Sequence, residues 1–353
     1  MFNFYLSYKY LYWRRRPTGF PAPTPEGIER IFIQTPGGRI EILCAQPVNP
    51  LSKTPVVFAH GGMGGAWVWI PYMRYLAARG ITSYAVSTRG HGESWHPSFL
   101  RMVWGVTKRD LGDDLVAGIK AVEEREGSHV VLVGHSSGGG LSQFILSEGD
   151  VQVKGLALLG AVPGNGSFHV YRNWVGFDPW FAVRMFFHGW HSHSPLSHPY
   201  LLRRVFFSQD YAEDKLLEFQ SRMNRYESLL WPFGMMLPFV NGKKLLQSIL
   251  GWDTGSTSRS RILIMAGTED KMMTRDVQTE SARFYRSMFS ELVKEKKIEA
   301  EDERVQTTQG DRGLDNAGQG VQVAWVPGAG HHLQNDTTWE VGADKLLQFL
   351  LQL

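Results

Sequence analysis

The chain has one cysteine and little net charge, which argue against a disulfide-stabilised protein and against a nucleic-acid-binding protein. Its 353 residues include one cysteine, Cys44, so no disulfide can form within the chain. Because Cys44 lies in an apolar run typical of a buried strand, we expect structural packing and a reducing, cytoplasmic location. The 37 Lys and Arg residues nearly balance the 34 Asp and Glu residues, and a net charge of +3 is too small to suggest nucleic-acid binding.

The first residues also lack an apolar run that could span a bilayer or act as a signal peptide. Residues 1–13 are aromatic but contain Asn, Ser and Lys, and the arginine cluster at 14–16 follows the apolar part instead of preceding it. We expect this segment to pack on the protein; weak contact with a membrane surface is the alternative. Prolines between 17 and 25 predict a stiff connector, which completes an N-terminal segment over 1–27.

The most informative pattern is an apolar run that ends in a serine flanked by glycines. Residues 129–133 predict a buried strand, residues 134–138 read Gly-His-Ser-Ser-Gly, and apolar residues from Leu141 predict a helix. Glycines remove side chains where the strand and helix crowd together, so the central serine can expose its hydroxyl on a strained turn. We therefore predict Ser136 as a nucleophile; the alternative is a turn with a capping serine.

A serine nucleophile needs donors for a developing oxyanion, and a glycine-rich loop supplies candidates. Residues 54–59 predict a strand that leads into residues 60–65, which read His-Gly-Gly-Met-Gly-Gly. The expected oxyanion hole consists of the N–H of Gly62 or Met63 together with the N–H of Ser137. The alternative is that the glycines form only a flexible loop.

Two later predicted strands end in side chains that suit an acid and a base. One is followed by the acidic pair Glu269 and Asp270, and the last is followed by the histidine pair His331 and His332. Each feature is unremarkable alone, because strands often end in polar loops. Their order along the chain, serine then acid then histidine, favours a catalytic site.

Together these motifs resemble those of the α/β-hydrolase fold family, from about residue 28 to the C-terminus. Residues 89–94, Arg-Gly-His-Gly-Glu-Ser, are similar to the family's Arg-Gly-x-Gly-x-Ser loop. Residues 328–331, Gly-Ala-Gly-His, are similar to the loop that carries the family's histidine. Ser87 stands where many members have aspartate, which affects the assignment of a close subfamily and not the triad.

Carried over position by position, the resemblance implies Ser136 as nucleophile, Asp270 as acid and His331 as base. Asp270 is preferred to its neighbouring glutamate because the family's acid follows a glycine by three residues, and Gly267 fits that spacing. His331 directly follows a glycine, as in the family pattern, whereas His332 is expected to pack or cap locally.

The order of predicted elements and the resemblance indicate an α/β fold with a mostly parallel eight-stranded sheet and helices on both faces. The core is predicted over 28–164 and 261–353. Between them, residues 165–260 are rich in aromatics, Met and His, and the resemblance implies a helical cap over the active site. Residues 294–319 are charged and contain glycines, so we expect a solvated insertion with no catalytic role.

The region at 165–260 has more aromatic residues than a small cap needs for its own core, so we expect some to line an apolar pocket. The candidates are Trp180, Phe187 and Trp231. Four histidines in the same region could suggest a metal, but Ser and Pro surround them instead of further ligands, and we expect no metal or other cofactor. These histidines are His188, His191, His193 and His198.

The sequence thus predicts a serine hydrolase that cleaves an ester or thioester of a bulky apolar small molecule through an acyl-enzyme. Carbon–carbon bond hydrolysis, or another tailoring step in natural-product biosynthesis, fits the same residues, because this fold supports several chemistries. A ligand-binding protein on the same fold is a third alternative, disfavoured by the complete set of triad residues. Serine instead of aspartate at position 136 argues against epoxide and haloalkane chemistry.

Overall fold

A mixed sheet of ten strands lies at the centre of the computed structural model, which describes residues 4–16, 19, 21–252, 260–308, 310 and 314–353. The strands are β1 Glu29–Thr35, β2 Gly38–Ala45, β3 Val56–Ala59, β4 Ser83–Ser87, β5 Val131–His135, β6 Gly155–Leu159, β7 Ile262–Gly267, β8 Gln306–Thr307, β9 Asn316–Gly318 and β10 Val321–Val326. Their order across the sheet is β1-β2-β4-β3-β5-β6-β7-β10-β9-β8.

The middle of the sheet is parallel and both edges are antiparallel. Strands β4, β3, β5, β6, β7 and β10 run in one direction, while β1 and β2 form one antiparallel edge and β9 and β8 the other. All residues of β3, β5, β6 and β7 are buried, as expected for apolar strands covered on both faces. The predicted α/β class is therefore confirmed, whereas the sheet as a whole is mixed, with parallel pairing only in its middle.

The number of strands corrects the prediction of eight, because β8 and β9 extend the sheet beyond β10. Both lie within 294–319, the segment expected to be a solvated insertion. A two-residue turn joins β9 to β10, and its residues Gln319 and Gly320 have φ angles of +52° and +75°. Positive φ at both positions is typical of a hairpin turn, for which Asn-Gly is the usual sequence signal and Gln-Gly a weak one.

Helices cover the sheet and fill the segment between β6 and β7. They are α1 Ile70–Ala77, α2 Phe99–Gly105, α3 Lys108–Glu126, α4 Ser136–Glu148, α5 Phe168–Phe177, α6 Phe181–Phe187, α7 Pro199–Phe206, α8 Glu213–Arg222, α9 Leu230–Phe233, α10 Gly242–Gln247, α11 Arg275–Lys294 and α12 Trp339–Leu350. Helices α1 and α12 pack on each other, and α3, α4, α10 and α11 form a second contiguous layer. In the described part of the chain, no helix combines the length and apolarity needed to cross a membrane.

The helical segment between β6 and β7 contacts the loops at the carboxyl ends of the strands. The amide of Asn224 donates to the carbonyl of Met63 after β3, and the amide of His332 after β10 donates to the carbonyl of Phe206. The amide and hydroxyl of Ser208 both donate to Asp336. Ligand sites of open α/β sheets form at this end, so these contacts bring the helical segment next to the predicted site.

Candidate active site

Ser136 lies at the turn where β5 ends and α4 begins. Its φ angle is +52°, a left-handed value that costs free energy for any residue with a side chain. Glycine is required nearby, because a Cβ at position 138 would collide with the carbonyl oxygen of His60 and a Cβ at position 134 would lie 2.6 Å from the Cα of Gly139. The Gly-x-Ser-x-Gly pattern thus creates a tight turn with Ser136 at its tip.

Ser136, His331 and Asp270, which come from three separate loops, form a continuous chain of hydrogen bonds. The Nε2 atom of His331 lies 2.9 Å from the Ser136 Oγ, and its Nδ1 lies 2.7 Å from the Asp270 Oδ2. The other oxygen of Asp270 accepts hydrogen bonds from the amides of Met272 and Met273, each 2.9 Å long. These amides fix the orientation of the carboxylate, so Oδ2 faces the imidazole.

The neighbouring acid and histidine lie outside this chain of hydrogen bonds. Glu269 is exposed, and its amide bonds to the carbonyl of Ala329. His332 is buried, and its ring packs against those of His135 and Phe219. Burial, reinforced by the adjacent His331 ring, holds the pKa of His332 well below its ordinary value, which suits a packing role.

The predicted oxyanion loop follows β3 and approaches Ser136, but its amides differ in their present partners. The Gly62 amide donates to the Ser137 Oγ at 2.8 Å, and the Met63 amide donates to the Glu227 Oε2 at 2.9 Å. Met63 has a φ angle of +64°, so its backbone is held in the left-handed region. The Met63 N–H is therefore bound to a carboxylate, whereas the Gly62 N–H is bound to a neutral hydroxyl.

Glu227 is a residue of the site that sequence reasoning missed. It lies between α8 and α9, and its Oε1 accepts a hydrogen bond from the Ser228 amide at 2.9 Å. Its Oε2 lies 2.7 Å from the Nε2 of buried His91, in the loop after β4. Glu227 is the only charged residue between positions 226 and 240, and this isolation within an apolar stretch is the one available sequence signal.

His91 is surrounded by hydrogen-bond acceptors on both ring nitrogens. Its Nδ1 lies 2.9 Å from the carbonyl oxygen of Arg89, opposite the bond from Nε2 to Glu227. Burial disfavours the charged ring, but the Glu227 carboxylate, together with the Arg89 carbonyl and Asp114, outweighs that effect and raises the pKa of His91 above its ordinary value. In the protonated state, His91 neutralises Glu227 beside the oxyanion loop.

A cavity of about 160 Å³ lies beside Ser136 and has mostly apolar walls. Its apolar lining includes Val162, Val170, Trp174, Leu196, Phe206, Trp231, Met235, Met272 and Met273. Glu227 also borders the cavity, so a carboxylate meets this apolar space near the nucleophile. A pocket of this kind suits an apolar group attached to a reacting carbonyl.

The structure corrects two of the three aromatic residues expected to line the pocket. Trp231 does line the cavity and is buried. Trp180 and Phe187 lie outside it, with exposed fractions of 39% and 54%, and both rings contact Phe4 of the N-terminal segment. Aromatic stripes on short helices look alike in sequence, and the packing of distant segments determines which ones face inward.

The four histidines of the helical segment have partners that do not form a metal site. His188 bonds to the Ser194 hydroxyl, His191 to the carbonyl of Tyr12 and His193 to the carbonyl of Asn224, and His198 accepts a hydrogen bond from the Tyr200 amide. Across the described ranges, no group of three His, Cys, Asp or Glu residues could hold a metal ion. Cys44 is buried in β2, and burial raises the pKa of its thiol to about 11, which suits a packing role.

Comparisons with known proteins agree with this architecture. The mouse (lyso)-N-acylphosphatidylethanolamine lipase is 36% identical over 115 residues, a match that spans 32% of this chain and 32% of that relative. A carboxyl esterase from Bacillus coagulans superposes over 92% of this chain and 98% of its own, with a TM-score of 0.63 and 15% identity. A carboxylesterase from Bacillus subtilis superposes over 92% of each chain, with a TM-score of 0.56 and 18% identity.

The family match extends over most of the sheet and the loops described above. The model of the alpha/beta hydrolase family matches residues 56–341, from β3 through the first residues of α12. This range includes Ser136, Asp270 and His331, and it covers well over half of the chain. The chain belongs to the alpha/beta hydrolase family.

Proposed function

We propose that the protein is a serine hydrolase that cleaves an ester or thioester of a bulky apolar molecule. The observation that carries the proposal is the chain of hydrogen bonds from Ser136 through His331 to Asp270, at the edge of an apolar cavity. The shared family and the lipase similarity support hydrolysis in general. The preference for an apolar substrate rests on the cavity walls.

In this mechanism, His331 moves the proton and Asp270 keeps its imidazole in the required tautomer. The Asp270 carboxylate accepts the Nδ1–H of His331, so Nε2 is free to take the Ser136 proton as Oγ attacks the substrate carbonyl. The resulting imidazolium donates that proton to the leaving group, which gives an acyl-enzyme. A water molecule, deprotonated by the same Nε2, then releases the acid and restores Ser136.

The developing oxyanion is assigned to the amides of Gly62 and Ser137. The Met63 amide is not assigned this role, because Glu227 accepts its hydrogen bond. The Gly62 amide becomes available when the Ser137 hydroxyl rotates away, and the substrate carbonyl oxygen takes its place. Donors aimed at an oxyanion contribute most when they are held in place before the reaction.

Glu227 is assigned as a positioning residue for this loop. Its bond to Met63 holds the left-handed backbone next to Gly62, and its bond to His91 keeps its charge compensated. Below the pKa of His91 the pair has no net charge, whereas above that pKa one negative charge remains and opposes an oxyanion. Since Glu227 raises the pKa of His91 above its ordinary 6.5, kcat/KM should fall as the pH rises through that higher value.

In the wild type we expect kcat/KM to fall roughly tenfold as the pH rises through the pKa of His91. The Glu227→Gln variant is expected to lack this fall. Glutamine still offers an oxygen to the Met63 amide but leaves no negative charge when His91 is neutral. Glu227→Ala, which also removes the acceptor, should lower kcat at every pH. The measurement is a pH profile of kcat/KM for the three proteins, with melting temperatures as the folding control. An identical alkaline limb in the wild type and Glu227→Gln would remove Glu227 from this role.

Trp231→Ala is expected to reduce kcat/KM for a bulky ester by a factor equivalent to roughly 1–3 kcal/mol, with little effect on an acetate ester. The buried Trp231 lines the cavity, so we expect a large acyl group to contact it and a short one not to. Phe187→Ala is the matched control, because this exposed ring lies outside the cavity. If the alanine variant unfolds, the same comparison of long and short esters is made with Trp231→Leu. Equal effects on long and short esters would contradict the assignment of the pocket.

The proposed function itself is tested with a series of p-nitrophenyl esters and thioesters of increasing chain length. We expect a burst of p-nitrophenol equal to the enzyme concentration, and kcat/KM that rises with the apolar acyl chain until the cavity is filled. Vinylogous diketones are the comparison substrates. Their cleavage without ester turnover would shift the assignment to carbon–carbon bond hydrolysis.

A further inference from the structure

An exposed apolar surface lies outside the cavity and combines two distant parts of the chain. The ring of Phe4 lies 5.6 Å from that of Trp180 and 6.3 Å from that of Phe187, and Phe187 in turn contacts Phe186 at 5.7 Å. The hydroxyl of Tyr8 donates to the carbonyl of Phe187 at 3.0 Å. We define the apolar surface as Phe4, Trp180, Val183, Phe186, Phe187 and Trp190.

These side chains remain open to solvent, although Phe4 contacts Trp180 and Phe187, and Phe187 contacts Phe186. The exposed fraction is 68% for Phe186, 54% for Phe187 and 51% for Trp190. A soluble protein seldom presents so many large apolar side chains together unless they meet a partner or a membrane. The N-terminal segment leaves Phe186 and Phe187 of α6 exposed and adds Phe4 to the edge of the surface.

The charge of the same region favours an anionic partner. Residues 1–25 contain four Lys or Arg residues and no acid, and residues 155–209 contain four arginines and one acid. That acid, Asp178, is buried in an ion pair with Arg184. Because the whole chain has a net charge of only +3, the rest of the chain is net acidic. The positive charge is thus concentrated in the segments that form the apolar surface.

A basic cleft lies at the N-terminal segment next to this surface. Its volume is about 300 Å³, and its lining includes Arg203, Arg204 and Lys271 together with Tyr200. The ring of Tyr5 lies 4.5 Å from that of Tyr200, so the residue that follows Phe4 contacts a side chain that lines the cleft. Exposed aromatic side chains beside several cations are typical of proteins that bind the interface of an anionic bilayer.

Helix α5 connects this region to the proposed site. Val170, Tyr171 and Trp174 of α5 line the cavity beside Ser136, and the ring of Trp174 lies 5.5 Å from that of Phe181 at the start of α6. We propose that the apolar surface docks the protein on an anionic phospholipid bilayer, with the aromatic rings entering the interface and the nearby cations facing lipid phosphates. This surface is separate from the catalytic residues, so the proposal stands or falls independently of the proposed function.

The test is flotation of the full chain with phosphatidylcholine vesicles that contain or lack phosphatidylserine. We expect strong binding only with phosphatidylserine, and weaker binding at high salt because screening reduces the attraction between surface charges. The double variant Phe186→Ser/Phe187→Ser should lower the partition coefficient by roughly tenfold or more, since each ring loses its apolar contact with lipid. Changing Arg204, which lines the basic cleft, to Ser should weaken the preference for phosphatidylserine.

The matched control is Leu51→Ser/Leu351→Ser, which removes two apolar side chains that are 76% and 62% exposed elsewhere on the protein. This control should bind vesicles like the wild type, and all variants should hydrolyse a short soluble ester at the wild-type rate. Light scattering without lipid distinguishes the other possible occupant, a second copy of the chain. The proposal is overturned if phosphatidylserine does not increase vesicle binding of the wild type, or if the Phe186→Ser/Phe187→Ser variant binds vesicles as well as the wild type. It is also overturned if the wild type is a stable dimer and this variant is a monomer.

Discussion

Changing Ser136 to alanine is expected to abolish labelling by a fluorophosphonate and to lower kcat by on the order of a million-fold. The reason is that the Ser136 hydroxyl is bonded to the Nε2 of His331, which activates it for attack. The measurements are gel fluorescence after labelling and steady-state hydrolysis of a p-nitrophenyl ester, with circular dichroism to show that the variant is folded.

Ser137→Ala is the informative control for that experiment. The Ser137 hydroxyl accepts a hydrogen bond from the Gly62 amide and has no bond to His331, so its loss should leave labelling intact. The backbone amide assigned to the oxyanion hole is retained in this variant. Undiminished labelling of Ser136→Ala, combined with loss of labelling in Ser137→Ala, would transfer the nucleophile to position 137.

Asp270→Asn is expected to lower kcat by roughly 10⁴-fold with little change in melting temperature. The amides of Met272 and Met273 require an oxygen at the Oδ1 position, so the asparagine NH₂ must face the Nδ1 of His331. A donor at that position favours the tautomer with the proton on Nε2, which cannot accept the proton of Ser136. Kinetics of the purified variant on an activated ester measures the effect.

The control for the acid is the adjacent Glu269→Gln. Glu269 is exposed and its side chain lies outside the hydrogen-bond chain, so its kcat should stay within about twofold of the wild type, as for most surface changes away from a site. A comparable loss of kcat in both variants would show that the assignment of Asp270 by its spacing from Gly267 was wrong.

The positions of Ser136, Asp270 and His331 could be predicted because each depends on local sequence. Each residue follows a buried apolar strand, and the carboxyl ends of parallel strands meet at one edge of a sheet. Glycines mark the turn around Ser136, since a Cβ at position 138 would collide with the backbone. The local patterns around the serine, the acid and the histidine, in the order that the family uses, therefore predicted which three loops lie together in the structure.

Glu227 could not be predicted, because its role depends on contacts between segments distant in sequence. It reaches Met63, 164 residues earlier, and His91, 136 residues earlier. For a single carboxylate in an apolar stretch, no spacing to other residues in the sequence identifies the groups that it contacts. The pocket residues posed the same problem, since Trp180 and Trp231 occur in similar aromatic stretches but only Trp231 is buried against the cavity.

For the N-terminal segment, the sequence offered two alternatives, packing on the protein or contact with a membrane surface, and the two are compatible. Tyr5 and Tyr8 pack on the helical segment through His198 and His188, as expected for a segment that covers its own protein. Phe4 remains 41% exposed beside Phe187, so packing brings an apolar ring to a surface instead of burying it. Contact with the protein and the proposed contact with a membrane are therefore compatible.

The central claim is that Ser136 forms an acyl-enzyme, and intact mass spectrometry of a rapidly quenched reaction tests it most directly. After mixing with excess p-nitrophenyl ester of a long acyl chain, the protein mass should increase by one acyl group, and peptide mapping should locate that group on Ser136. Asp270→Asn should accumulate the adduct much more slowly. Ester turnover with an acyl group on another residue, or turnover by Ser136→Ala at the wild-type rate, would contradict the account.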